Sequence, residues 1–424
     1  MLQFKLLKNK RLLILFLSIA FINRLKMKYQ LLCNDKCLAK KVVRYLLFFS
    51  VLPLCSITFS YSQEKVKAVL ISEKNIPIPF ATVYNIDTNR GVITNADGQF
   101  EINAKTSNII IIRCLGYQEK RITAGEIPNY GMVILKEALF ELDEVIITPN
   151  YTDAKSIIRK FRANIKRNYP KVATRIEGIY KNYSMVEDEY YGYKQCDIHI
   201  LIKSIASKSP PVFKTKVDNY ISFSPSEENK QKREIEPKYY FSLFWLYKNS
   251  FLWDYNRYQY RIVGYTSYNK LKLVKIYFNP KQVIINKRQY SGTIFIDVES
   301  FALVFLHYEI TQPYEMNFMF YNGNWQKTET LENKIMFDSN DGLFYPLYVI
   351  SKAKLMVKQP EGVLTVDYVY NFFTKNIDYS PKKNFTDDNF LNQSNSTDII
   401  NQSLNYKSEF IIETEQEKQL LQLD

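Results

Sequence analysis

A mainly β protein is the fold class this sequence predicts, and three observations predict it. Aromatic residues make up 15% of 424 residues, including 33 Tyr and 28 Phe against 12 Gly, and such rings pack best on pleated, half-buried surfaces. Short apolar runs alternate with turn signals along most of the chain, which is the spacing of antiparallel sheets. One stretch near Ala154 to Ile165 repeats its apolar residues at helical spacing instead. The chain therefore divides into a leader (1–62), a small β-domain (63–148), a linking amphipathic helix (149–170), a larger aromatic-rich antiparallel β-domain (171–375) and a tail (376–424).

The leader explains the charge. The formal net charge is +14, yet the residues up to Ser62 carry eleven Lys or Arg against the single acid Asp35, a net of +10, leaving +4 for the rest. A basic excess placed this way does not predict a nucleic-acid surface. Two apolar runs, 12–22 and 45–59, are each shorter than the roughly 18 to 20 residues that span a bilayer. The second has the parts of a secretory signal: Lys40, Lys41 and Arg44, an apolar middle, then Ser60-Tyr61-Ser62. Cleavage is expected after Ser62, with export to the periplasm or outer membrane. The first run reads either as an anchor or as sequence upstream of the true start, Met27 being the candidate initiator. Cys55 follows Leu52-Pro53-Leu54, a poor lipoprotein box because a large Leu stands where a small residue belongs. Cys33, Cys37 and Cys55 fall in the leader, so Cys114 and Cys196 alone remain in the exported chain. Two cysteines in separate domains predict free thiols rather than a disulfide scaffold.

Strands of the first domain are expected at 66–71, 81–86, 100–102, 109–114, 120–123 and 132–135. Pro77 and Pro79 punctuate a loop. Asp97-Gly98 is a hairpin signal, because glycine takes positive φ without steric cost. The stretch GVITNADGQFEI, 91–102, then reads as turn chemistry. Asn85, Asp87, Asn89 and Gly91 resemble the start of a calcium loop, but the glycine comes one position late and Ala96 stands where the closing Glu belongs. No metal is predicted there.

Three segments, IPIPFATVYNIDTNRGVITNADGQFEI, IIIIRCLGYQEKRI and ELDEVIITPN, together resemble the carboxypeptidase-like regulatory domain of Bacteroidetes envelope proteins, found also in N-terminal extensions of TonB-dependent receptors. The resemblance covers Val66 to about Thr148 and implies a seven-stranded, transthyretin-like β-sandwich. The matching positions are Pro79, Ala81, Val83, Gly91, Thr94, Asp97, Gly98, Phe100, Gly116 and Tyr117, each with a turn or core role. A catalytic zinc carboxypeptidase needs a His-x-x-Glu pair and a second His. This chain has two histidines, and His199 is followed at the third position by Ile202, His307 by Ile310. With no nucleophile elbow, phosphate loop or Cys-His pattern either, no catalytic residue, metal or cofactor is predicted.

The helix is expected to start from Thr152 or Asp153 as a cap and to stop at Pro170, with Ala154, Ile157, Ile158, Phe161 and Ile165 inward. Lys155, Arg159, Lys160, Arg162, Lys166 and Arg167 form its other face, read as solvated, with peripheral association with anionic lipid as the alternative. Beyond Ile176, strands are expected at 196–202, 258–263, 271–278, 293–298, 302–310 and 364–372. KYYFSLFWLYKNSFLWDYNRY, 238–258, lacks clean alternation and reads as a helix or a loop folded over the sheet. The segments NIKRNYP, GIYKNYS and YSGTIFIDVESFALVFLHYEI resemble the region that follows the regulatory domain in stand-alone Bacteroidetes proteins, extending the likeness to about Phe373. The hairpin SGTIFIDVESFALVFLHYEI is similar to those of lipoprotein-carrier half-barrels. Two architectures stay open, an open curved sheet with an apolar concave face or an ordinary sandwich. The composition of 378–405 cannot build a core and predicts disorder.

The expected function is that of a non-catalytic envelope binding or accessory protein, its regulatory domain serving as a docking or spacer module for an unidentified envelope protein or ligand. The alternative is an envelope hydrolase acting on peptide or saccharide through a site in 171–375. The sequence does not fix the oligomeric state.

Overall fold

The computed structural model describes residues 64–128, 130–138, 153–187, 189–207, 213–223, 250–315, 317–321 and 324–379, with 410, 411, 413, 414 and 417. The leader, with its signal sequence and cleavage site, lies outside the described residues, as do Thr152, 238–249 and 380–409.

Seven strands form the first domain: β1 (Glu64–Ser72), β2 (Thr82–Asn85), β3 (Arg90–Ile93), β4 (Gln99–Ala104), β5 (Ile109–Arg113), β6 (Lys120–Thr123) and β7 (Gly131–Leu135). They make two sheets, β4-β1-β7 and β3-β2-β5-β6. All pairs are antiparallel except β1 with β7. The alternation of β4 turns Phe100, Ile102 and Ala104 inward, where they meet Leu70, Val83, Ile110, Ile112 and Val133 in one apolar core. A period of two with one buried face is what a two-layer packing demands. The strand at β3 is additional to those expected from the sequence.

The helix α1 (Ala154–Asn168) begins at Asp153, whose carboxylate accepts from the Lys155 amide at 3.0 Å. This satisfies an amide that no helical carbonyl can reach. Its buried stripe is Ala154, Ile157, Ile158, Phe161 and Ile165, as the periodicity requires. On the basic face Arg159, Arg162, Lys166 and Arg167 are exposed, as the solvated reading expects, and Arg162 also lies 4.2 Å over the Trp253 ring, Arg159 5.3 Å over Tyr255 and Lys160 5.0 Å over Phe301. Half of the face read as solvent- or lipid-directed is thus engaged in cation–π contacts.

Eleven strands follow: β8 (Thr174–Val186), β9 (Glu189–Ile202), β10 (Phe213–Phe223), β11 (Tyr258–Tyr268), β12 (Leu271–Pro280), β13 (Tyr290–Asp297), β14 (Leu303–Ile310), β15 (Met319–Tyr321), β16 (Asn324–Asn340), β17 (Leu343–Gln359) and β18 (Gly362–Asp378). They form one sheet in the order β10-β9-β8-β18-β17-β16-β14-β13-β12-β11, with β15 paired to β16. Every pairing in it is antiparallel. This is a single sheet, not a second sandwich. Helix α1 touches both β11 and β17, which stand five strand spacings apart, about 24 Å along a flat sheet. The fifteen residues of α1 extend about 22 Å at 1.5 Å per residue, so its length reaches across those strands. The core beneath it joins Phe161 and Ile165 to Ile198, Ile276, Leu306 and Phe372. Tyr169, just past the helix, is fully buried and fixes it to β14, donating to the Leu303 carbonyl at 3.0 Å and accepting from the Leu303 amide at 2.9 Å. Residues 250–257 fold over this sheet, with Phe251 stacked 4.7 Å from Phe278. No helix among the described residues is long and apolar enough to cross a membrane.

Candidate binding site at the junction of sandwich and sheet

Both β-domains and the C-terminal residues belong to one compact unit, Glu64–Asp424, and meet around a cavity of about 350 Å³. The turn Asn95 to Gly98 forms one wall. Asn95 Oδ1 accepts from the amides of Asp97 (3.0 Å) and Gln99 (2.9 Å), folding the turn over its own side chain. Gly98 has φ +73° and gives its carbonyl to the Leu70 amide at 2.8 Å. A Cβ there would stand 2.6 Å from the Leu70 carbonyl oxygen. Thr94 Oγ1 donates to the Ile78 carbonyl and accepts from the Ala81 amide, at 2.9 and 2.8 Å. These bonds set Phe80 at φ +59°, with its ring stacked 5.6 Å from Phe373 and tilted 5.9 Å from Tyr348.

The second wall comes from β8 and β18, which contribute Lys181 and Asn371, in register across the two strands; Gln195 on β9 pairs with Lys181 beside them. The C-terminal residues close it. Ile93 donates its amide to the Phe410 carbonyl at 2.8 Å, and Asn95 Nδ2 donates to the Glu413 carbonyl at 3.3 Å. Lys181 Nζ lies 3.1 Å from Glu417 Oε2 with both side chains at least 95% buried. The same carboxylate accepts from the Thr414 amide at 2.8 Å. Ile411 packs with Ile93, Ile179 and Phe373. A pair of charges withdrawn from water is tolerable only because each is satisfied by the other. Burial pushes the Tyr183 hydroxyl up to about 12.

A second, larger cleft of about 580 Å³ lies farther along the same sheet, touching Tyr183, Glu309, Glu332, Lys352, Lys354 and Asp367. His307 on β14 places Nε2 2.7 Å from Glu332 Oε1, and Lys334 reaches the same oxygen at 2.9 Å. The imidazole and the ammonium together hold the Glu332 carboxyl at about 2, against the desolvation that would raise it. His199 on β9 is 3.5 Å from Glu177. Both histidines are strand residues that line neither cavity, though His307 bonds to Glu332, which lines the larger cleft.

The residues singled out in the sequence take the following places. Ala81 and Phe100 are buried core. Asp97 lines the junction cavity, and Gly98 makes its turn. Gly91 lies opposite Tyr84, whose ring would be 3.2 Å from an added Cβ. Gly116 has φ +85° and accepts from the Ala138 amide at 2.8 Å, while Tyr117 pairs with Glu137 beside it. Pro79 is exposed in its loop. Asn85 is the buried last residue of β2, whose amide group donates to the Asn103 carbonyl and to Asn108 Oδ1. Cys114 and Cys196 are not joined in a disulfide, and burial pushes the Cys114 thiol up to about 12. The sequence reading missed Lys181, Tyr183, Asn371, Glu413 and Glu417.

Comparison with known proteins places the first domain. The CarboxypepD_reg-like domain family matches residues 68–147. The TonB-dependent receptor SusC of Bacteroides thetaiotaomicron is 34% identical over 85 residues, which are 20% of this chain and 8% of SusC. Among solved structures, a LolA superfamily protein of Nitrosomonas europaea aligns at 9% identity with a TM-score of 0.21, over 53% of this chain and 93% of its own. MucB, solved in complex with MucA(peri), aligns at 9% identity with a TM-score of 0.18, over 52% and 94%. Scores at that level do not establish a shared fold. The family match over 68–147, and the seven strands that those residues build in two sheets, show that this chain carries a CarboxypepD_reg-like domain, seated on an eleven-stranded antiparallel sheet.

Proposed function

We propose that this protein is a non-catalytic accessory protein of the bacterial cell envelope, in which the regulatory-like sandwich is a docking module held in fixed orientation on the large sheet. The observation that carries the reading is the use made of the polar groups at the junction. Lys181 is spent on Glu417, the Asn95 amide on the Glu413 carbonyl, and Asn95 Oδ1 on its own turn. Catalysis needs groups aimed at a space where substrate can sit; these are aimed at one another and join three parts of the chain. The envelope location draws support from the similarity of the first domain to part of a TonB-dependent receptor and from the signal-like leader. The test is fractionation of producing cells with sequencing of the mature N-terminus. Membrane or periplasmic recovery and a start near Gln63 are expected. Recovery in the cytoplasm with an intact leader contradicts it.

A further inference from the structure

One end of the large sheet carries a group of exposed apolar side chains that the sandwich, α1 and the C-terminal residues leave uncovered. The β12–β13 loop presents Ile284 and Ile285, each nearly half exposed, and the neighbouring β15–β16 hairpin presents Met319, Phe320 at 63% and Trp325 at 52%. Phe320 and Trp325 face each other across that hairpin in a T-shaped contact at 5.7 Å. Val363, half exposed, is the second residue of β18 at the same strand ends, opposite Lys358.

These tips are one surface, and it is preformed. The Glu315 amide donates to the Ile285 carbonyl at 3.0 Å, and Arg288 Nη2 donates to Thr328 Oγ1 at 3.3 Å, tying the loop to the hairpin. Within the loop, the buried Gln289 accepts from the Ile284 amide at 2.6 Å and donates to the Gln282 carbonyl at 2.9 Å. The aliphatic groups are therefore held out toward solvent at a hydrophobic cost that the free protein bears. Their setting is cationic. Lys327 and Lys358 stand 5.4 and 4.7 Å from the Phe318 ring centre, and Lys281 and Lys287 flank the loop. With Arg288 these are five cations against Glu315, Glu329 and Glu361.

We propose that this rim docks the protein on a membrane surface bearing anionic headgroups. Phe and Trp rings beside lysines at loop tips match the layering of a bilayer interface, where rings sit at headgroup depth and lysine stems lie along them with the ammonium in water. The apolar groups stand on tips at strand ends rather than in a groove that a peptide could fill. Electrostatic attraction brings the rim to the surface and apolar burial retains it, as for other interfacial anchors. The attachment surface is thus this rim and not the basic face of α1, half of which is engaged with rings. It is independent of whether the protein catalyses.

The test is co-sedimentation of the purified protein with vesicles of phosphatidylethanolamine and phosphatidylglycerol, and with phosphatidylcholine vesicles, together with quenching of tryptophan emission by brominated acyl chains. The wild type is expected to bind the anionic vesicles preferentially and to lose binding as salt rises. Ile285→Glu combined with Trp325→Glu should weaken it by about tenfold or more, by removing apolar insertion. Lys281→Gln, Lys287→Gln, Lys327→Gln and Lys358→Gln together should weaken it by about tenfold while leaving circular dichroism unchanged. Bromolipid quenching should disappear in Trp325→Phe. No binding to anionic vesicles at low salt overturns the proposal, as does equal binding by the variants. A rim that instead holds two copies together, so that Trp325→Glu converts a dimer to a monomer and no bromolipid quenches Trp325, also overturns it.

Discussion

Replacing Gly98 by Ala tests the turn on which the junction is built. A non-glycine residue in the left-handed region costs about 1 kcal/mol. The added Cβ would lie 2.6 Å from the Leu70 oxygen and 3.0 Å from the Ile78 nitrogen, both backbone atoms that cannot rotate away. To relieve this, the turn must retreat from β1, stretching the Leu70-to-Gly98 and Ile78-to-Leu70 hydrogen bonds, now 2.8 and 2.9 Å. At about 1 kcal/mol for each bond weakened, the total is roughly 2 to 4 kcal/mol. Gly116 supplies the control, since its φ is +85° but an added Cβ meets nothing within 4 Å. Gly116→Ala should cost about 1 kcal/mol, the strain alone. Native-state hydrogen exchange of the β1 and β4 amides reads the local opening free energy directly. A Gly98→Ala change no larger than that of Gly116→Ala would refute the steric argument.

Other outcomes follow from named contacts. Lys181→Met leaves a buried Glu417 carboxylate without its cation and should cost about 3 kcal/mol or more, much of it regained by adding Glu417→Leu; urea unfolding of the two variants reads the difference. The Glu332 carboxyl is depressed in the folded protein, so its contribution is present above about pH 4.5 and lost as pH falls through about 2. Because that side chain is about 30% exposed, the contribution should be near 1 kcal/mol, and Glu332→Gln should flatten stability over this acid window. Adding reductant should leave the mass of the mature protein unchanged, and Cys114 should alkylate far more slowly at pH 8 than in the unfolded chain, since desolvation holds its thiol at about 12.

The sequence disclosed what local chemistry determines. Inward Phe100 and Ile102, the Asp97-Gly98 turn and the stripe from Ala154 to Ile165 are each written in a period or a conformational preference, and each lies where it was expected. Strand β3 escaped because it spans four residues, Arg90 to Ile93, with a glycine inside and no alternation to mark it. Single sheet and sandwich could not be separated from sequence, because registers such as β8 with β18 join residues nearly two hundred positions apart. Bulges at Thr328 and Met336 further break the alternation of β16. The exposure of the basic face of α1 was legible, but its ring contacts were not, because Trp253 and Tyr255 sit in a segment without periodicity. The junction was least legible. Asn95 meets Glu413 across 318 positions, and nothing near Lys181 announces its partner.

Turnover by the purified mature protein bears most directly on the central claim that its polar groups hold structure together and do no chemistry. Peptide and peptidoglycan substrates should be left intact by the wild type, with and without a chelator, and the His199→Gln, His307→Gln double variant should behave the same. Hydrolysis of either substrate that disappears in the histidine variant, or on chelation, would contradict the account and establish an enzyme.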